Sequence, residues 1–232
     1  MHTVKYGESS LIVHAYTEKF GRQSLMIKGV RKSKKQNRSN LFQPLFLLDF
    51  EIYHREKRSV QLISSVSRSV PLNSIPYNHT LSTQALFIAE VLYRVLKEEE
   101  SNPMLFHFLV NSVEYLDSLQ RPSPDFHIVF LIQLTKYLGF YPVNNYSEEN
   151  PYFDLLRGSF KPVLLDDMTQ LDRSTGLLFS HFLKLDYPSL RETTFNRHQR
   201  NMVLRDLLRF YRFHNEGMGE VRSAEVLASL VE

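Results

Sequence analysis

Pro71-Leu72-Asn73-Ser74-Ile75-Pro76-Tyr77-Asn78-His79 decides how the sequence divides. Two prolines and two asparagines in nine residues cannot continue a central strand, because proline lacks the ladder N–H, and they have no helical spacing. The apolar period differs on the two sides. Downstream, Leu81, Ala85, Ile88, Leu92, Val95 and Leu96 fall on one helical face, with Glu90, Arg94 and Lys97 elsewhere.

Upstream, residues 1–72 read as β. The runs at 9–17 (SSLIVHAYT) and 23–30 (QSLMIKGV) are β-branched or apolar and flank Glu18-Lys19-Phe20-Gly21-Arg22, whose glycine permits the positive φ of a hairpin turn. Over 46–55, Phe46, Leu48, Phe50 and Ile52 alternate with Leu47, Asp49, Glu51 and Tyr53; a polar Glu56-Lys57-Arg58-Ser59 turn leads into a strand over 60–70. Short, closely spaced strands without a helix-length apolar pattern predict a small antiparallel barrel, since closure protects edges that so short a segment leaves open. The first strand opens at once, at Thr3-Val4-Lys5-Tyr6, and is expected to be short or poorly paired.

Beyond the first predicted helix, Asn102-Pro103 supplies an N-cap and a proline at the first helical position, opening a helix toward Leu119. Ser123-Pro124 repeats the device for a helix carrying Phe126, Val129, Phe130, Leu134 and Leu138 and stopping at Gly139. Further helices are expected near 174–183, 196–213 and 223–231. Between 140 and 165 the pattern breaks at Pro142, Pro151, Gly158 and Pro162, yet Tyr141, Tyr146, Tyr152, Phe153 and Phe160 require burial to offset their ordering entropy. A packed loop or short ribbon on the helices is predicted there. The fold class is therefore α+β: an antiparallel β-barrel over 1–72, a linker over 73–79, and a mostly α-helical domain over 80–232 with an irregular aromatic-rich insert at 140–165.

The 232 residues are 43% hydrophobic and 23% charged, enough apolar material for a sizeable core. Cysteine is absent, which excludes disulfides, thiolate zinc sites, iron–sulfur clusters and a cysteine nucleophile. The opening MHTVKYGESS has no apolar signal-peptide core, and no run approaches the roughly 18 apolar residues of a membrane span. A cytoplasmic chain without a membrane partner is expected. The formal charge of +3 conceals an asymmetry: residues 1–72 hold 13 Lys/Arg against 5 Asp/Glu, and the remaining 160 hold 15 against 20. A basic first part suits a polyanion, while the acidic remainder packs or meets proteins.

The densest charge is Lys28-Gly29-Val30-Arg31-Lys32-Ser33-Lys34-Lys35-Gln36-Asn37-Arg38, six cations in eleven residues with no acid among them. A loop facing phosphates releases a condensed counterion for each charge it neutralises, which offsets the mutual repulsion; the competing reading is a solvated charge run. Arg22 in the first hairpin turn and Arg55, Lys57 and Arg58 in the second extend the basic set, giving Arg22, Lys28, Arg31, Lys32, Lys34, Lys35, Arg38, Arg55, Lys57 and Arg58 as candidate nucleic-acid-binding residues. Tyr6, Tyr16, Phe20, Phe42 and Tyr53 lie close to them in sequence; most are expected in the core, although bases of unpaired strands stack on such rings. Over 196–213, Leu204, Leu207, Leu208 and Tyr211 form a stripe, with Arg205, Arg209 and Arg212 on a neighbouring face. That ridge is either ordinary amphipathicity or a binding site, for an acidic C-terminal peptide of a protein or for nucleic acid.

No G-x-S-x-G, H-E-x-x-H or phosphate-loop motif is present, and the nine histidines, among them His14, His54, His127 and His181, are scattered. The chain is expected to be no enzyme and to need no cofactor or metal. Two alternatives stay open: a protein-interaction scaffold with an incidental basic loop, and a metal-dependent nuclease using Glu98-Glu99-Glu100, Glu148-Glu149 or Asp166-Asp167.

The order of several short motifs resembles the bacterial RecO recombination mediators. Tyr6-Gly7-Glu8-Ser9-Ser10-Leu11-Ile12-Val13 with Tyr16-Thr17 and Gly21, then Lys28-Gly29-Val30-Arg31-Lys32 and Leu41-Phe42-Gln43-Pro44-Leu45, are similar to that family's N-terminal domain. Tyr137-Leu138-Gly139-Phe140-Tyr141-Pro142 and the stretch from Leu204 through His214 to Ser223 are similar to its helical domain. The resemblance implies an OB-fold followed by a helical domain in a DNA repair protein of the RecF pathway. Such a protein binds single-stranded DNA, anneals complementary strands and, with RecR, helps load RecA onto DNA coated by single-stranded DNA-binding protein. It also puts Arg31 and Lys32 on the family's basic loop. Many relatives carry a four-cysteine zinc module where this chain has 143–160, which lacks cysteine, so aromatic packing without zinc is expected there.

Overall fold

A computed structural model describes residues 1–30, 38–55 and 57–230, the side chains of Arg38 and Leu230 excepted. Five strands, β1 (His2–Tyr6), β2 (Ser10–Thr17), β3 (Gly21–Ile27), β4 (Leu48–Tyr53) and β5 (Val60–Arg68), form one sheet in the order β1-β2-β3-β5-β4. Three pairings are antiparallel. The fourth, β3 with β5, is parallel, because the chain leaves β3 and re-enters the sheet at β4, beyond β5, before the β4–β5 hairpin forms. Among the described residues β1 and β4 each pair on one side, the arrangement of a partly open five-stranded OB-fold. The expectation of a poorly paired first strand is corrected: all five residues of β1 are in register with β2, from His2 opposite His14 to Tyr6 opposite Ser10.

Alternation decides the two faces. Leu11, Val13, Leu25, Ile27 and Ile63 point inward and, with Val30 and Phe42, make the core of the sheet. Ile63 and Val66 are three apart, yet both pack inward, because Ser64 is an extra residue between the pairs Glu51–Ser65 and Ile52–Ile63 and its hydroxyl donates to Glu51 O at 3.0 Å.

Met1–Gln120 with Val221–Ala224 form one compact unit; a second comprises Arg121–Glu220 and the chain from Glu225. In the first unit the sheet packs with α1 (His79–Val95) and α2 (Pro103–Ser118). The Arg22 guanidinium donates to Tyr93 O at 2.9 Å and Leu96 O at 2.8 Å, a cation on the orphan carbonyls of the α1 C-terminus. Glu90 on α1 accepts from the N–H and hydroxyl of Ser223 at 2.9 and 2.6 Å, from Arg222 N–H at 3.1 Å, and from Arg94. Burial by itself would raise the Glu90 pKa; the hydrogen bonds from Ser223, Arg94 and Arg222 outweigh it and lower the pKa to about 2.

Asp117, in the last turn of α2, accepts from the backbone N–H groups of Asn73, Ser74 and Ile75 at 2.7, 2.8 and 2.7 Å and so fixes the segment between β5 and α1. Asp117→Ala leaves three donors without a charged acceptor and is expected to cost about 2 kcal/mol, read as a lower urea midpoint with faster amide exchange at 73–75. An unchanged midpoint with slow exchange there would contradict it.

The second unit holds α3 (Phe126–Leu138), β6 (Tyr152–Asp154), β7 (Ser159–Lys161), α4 (Arg173–Phe182), α5 (Arg197–His214) and all of α6 (Ser223–Leu230) from Glu225 onward. Asn102 caps α2 through Leu105 N–H, Gly139 ends α3 at φ 83°, and Asn196 with Gln199 forms a capping box on α5. The Ser123-Pro124 cap is displaced: Asp125 is the N-cap of α3, its N–H on Ser123 Oγ and its carboxylate taken by the Thr193 hydroxyl. The aromatic stretch forms a ribbon, with Phe153 opposite Phe160 across β6 and β7 at 4.9 Å between centroids. Phe153 packs on Phe179 of α4 and Phe210 of α5. Tyr211, fully buried, donates its hydroxyl to Leu131 O at 2.7 Å and joins α5 to α3.

Candidate nucleic-acid interface

The cations of the first unit sort by what their connections do. Lys28 follows β3 and is exposed, while Val30, two residues on, is buried in the sheet core. Arg31, Lys32, Lys34 and Lys35, with the side chain of Arg38, lie outside the described residues; Arg38 opens a 3-10 turn (Arg38–Leu41) that leads to buried Phe42. The basic segment thus starts and ends on core residues.

Arg55, Lys57 and Arg58 are exposed on the β4–β5 connection. Gln61 shapes that turn from inside: only 4% exposed, it accepts from Arg55 N–H at 2.8 Å and donates to Arg55 O and Arg58 O at 3.0 and 2.6 Å. Gln61 is absent from the sequence-derived set; a glutamine at an inward, otherwise apolar position of a strand is the signal that finds it. The parallel register, Ser24 opposite Val60 to Met26 opposite Leu62, puts the start of β5 beside the middle of β3 with both strands running toward the Lys28 end. Arg55, Lys57 and Arg58 therefore lie at one end of the sheet and Lys28 at the other, separated by roughly 15 Å of strand.

Arg22 differs from the other candidates. Its guanidinium is held on the α1 carbonyls and lies 4.6 Å over the Tyr93 ring, which makes it a helix cap. His14 packs on the same tyrosine and bonds Ser24; burial and then the Arg22 charge lower its pKa, keeping the ring neutral near pH 7. The nearby rings also separate. Phe42 is core, Tyr16 and Phe20 are half-buried, and Tyr6 and Tyr53 are 55% and 62% exposed. Phe20 stacks on His54 at 4.6 Å with 11° between planes.

With this geometry in hand, two family descriptions match the chain: "Recombination protein O N terminal" over residues 1–69 and "Recombination protein O C terminal" over 79–222. The DNA repair protein RecO of Bacteroides fragilis is 35% identical, the alignment covering 100% of this chain and 96% of the relative. The chain belongs to the RecO family. Its relatives of the same description in Christiangramia forsetii and Flavobacterium psychrophilum are 36% and 33% identical, each over 97% of this chain and 93% of the relative. RecO membership makes this a protein of bacterial DNA repair and recombination. The two RecO matches leave 70–78 between them, the segment that Asp117 holds.

The α5 arginines of this RecO member have internal partners. Arg205 and Arg209 flank the buried Asp206 carboxylate at 3.2 and 3.0 Å, Arg209 also donates to Met168 O, and Arg212 donates to Gly219 O. Arg205 keeps a side chain 64% exposed. Among the described residues no group of three or more His, Asp or Glu side chains is placed to hold a metal ion. Glu148 instead pairs with Arg173, and Asp166 accepts from Met168 N–H and the Thr169 hydroxyl in its own turn. No helix among those residues is long and apolar enough to cross a membrane.

Proposed function

We propose that the chain is a non-enzymatic mediator of the cytoplasm that binds single-stranded DNA, and duplex DNA as well, through the cations of its first unit. It anneals complementary strands and, with RecR, helps load RecA onto DNA coated by single-stranded DNA-binding protein. Contact residues in this reading are Lys28, Arg31, Lys32, Lys34, Lys35 and Arg38 on the long connection and Arg55, Lys57 and Arg58 on the short one. The acidic C-terminal tail of single-stranded DNA-binding protein docks beside Arg205, Arg209 and Arg212, where Arg205 offers an exposed guanidinium.

One observation carries the DNA-binding reading. Lys28, Arg55, Lys57 and Arg58 are exposed, and among the described residues no carboxylate pairs with them, although five arginine–carboxylate pairs form elsewhere among those residues. Charges gathered on two connections and unpaired with any acid among the described residues favour a polyanion.

A salt titration of fluorescent oligonucleotide binding tests it. With six phosphates neutralised on a single strand, log K falls against log salt at a slope near −4, about −0.7 per contact. Reversing the charges of Arg31, Lys32, Lys34 and Lys35 is expected to weaken binding at least about tenfold and flatten the slope by about 2.8, four contacts at about 0.7 each. Retained affinity with an unchanged slope would remove the assignment.

A further inference from the structure

We infer that Tyr53, together with the stacked Phe20–His54 pair, is a ledge on which unpaired bases stack, so that the protein distinguishes a single strand by its bare base faces and not by charge alone. The inference rests on the proposed strand binding and names the groups that would touch the bases.

Register carries the first part of the argument. Val4 lies opposite Ile12, Ile12 opposite Met26, Met26 opposite Leu62, and Leu62 opposite Tyr53. Paired residues share a face, and Leu25, Gln61 and Ile63, the sequence neighbours of Met26 and Leu62, are the buried, inward ones. The row therefore runs across all five strands on the outward face. The core does not require it. It ends at Tyr53, whose ring is 62% exposed and whose hydroxyl has no hydrogen-bond partner among the described residues.

The second part is the neighbouring stack. His54 follows Tyr53 directly and stacks nearly parallel on Phe20 from the β2–β3 turn, 34 residues away in sequence. Two connections thus meet to present flat rings at one end of the sheet. The third part is charge: Arg55, Lys57 and Arg58 are exposed on the same turn, which Gln61 holds in shape with three hydrogen bonds. Cations next to exposed rings suit a ligand with an anionic backbone and π faces held one sugar away from it. In a duplex those faces are occupied by neighbouring bases, whereas every base of a single strand offers one.

The test compares three probes of equal length: an oligothymidylate, the same strand with abasic sugars, which keeps the phosphates and removes the bases, and a duplex. Wild type is expected to prefer the oligothymidylate to the abasic strand. Tyr53→Ala with His54→Ala should lose about 5- to 150-fold affinity for the base-bearing strand, little for the abasic one, and keep the salt slope. Tyr53→Phe should retain the preference. Tyr53→Leu, which keeps apolar bulk without a ring, should lose it, and serves as the second variant if the alanine protein unfolds. Equal binding of base-bearing and abasic strands by wild type, or a preference that survives the double substitution, overturns the ledge and leaves the charge-based reading standing. Failure of wild type to bind any strand overturns both.

Discussion

Gly21→Ala is expected to remove about 4–7 kcal/mol from the stability of the first unit, a large share of the roughly 5–15 kcal/mol typical of a domain. Two independent costs add. Gly21 sits at φ 58°, where an L side chain costs about 1–2 kcal/mol. A Cβ there would also run into the backbone oxygens of Glu98 and Glu100, which are main-chain atoms and cannot swing aside. Relief requires the segment between α1 and α2 to retreat. That breaks the bond from Arg22 N–H to Glu98 O at 2.9 Å and the bond from the Ser101 hydroxyl to Glu18 O at 2.7 Å, and displaces the Arg22 guanidinium from the α1 carbonyls. Overpacking of this kind costs about 1–3 kcal/mol and each lost hydrogen bond about 1. Urea denaturation followed by circular dichroism measures the sum; a loss under about 0.5 kcal/mol would show that the contact yields freely.

The second large effect is Glu90→Gln, with a dependence on pH that identifies its cause. The folded pKa is lowered from 4.5 to about 2, so the charge on Glu90 contributes about 3 kcal/mol of stability. A depressed carboxylate pKa stabilises above the unfolded value and loses that contribution as pH falls through the folded one. The deficit of Glu90→Gln relative to wild type is therefore expected to be full at pH 6–7, to shrink below pH 4.5, to stand near about 1 kcal/mol at pH 3, and to vanish below about pH 2. Denaturation midpoints of the two proteins across that range check it. A deficit that does not change with pH would mean that the glutamine fails on shape and not on charge.

Much of this architecture could be read along the chain wherever the cause is local. Alternation of Leu48, Phe50 and Ile52 with Asp49, Glu51 and Tyr53 predicts the faces of β4, and Asn102-Pro103 predicts the start of α2. The parallel pairing of β3 with β5 could not be read, because it depends on where a connection of some twenty residues returns, which no local period encodes. That pairing sets Lys28 at the opposite end of the sheet from Arg55, Lys57 and Arg58, although in sequence they form one basic region. Arg22 shows the same gap on the scale of a side chain. It looks like a turn cation, and its partners, Tyr93 and Leu96, are 71 and 74 residues away. Gly21 was legible as a hairpin glycine from its neighbours, but its second role, leaving room for 98–100, belongs to a contact that only the fold creates.

The Glu90–Ser223 contact bears on the order of synthesis. A body built from residues 1–120 closes on a clip supplied by 221–224, so during translation α1 is finished long before the groups that cap its carboxylate leave the ribosome. For that interval Glu90 lacks its donors from Arg222 and Ser223, as it would in a chain truncated before Val221.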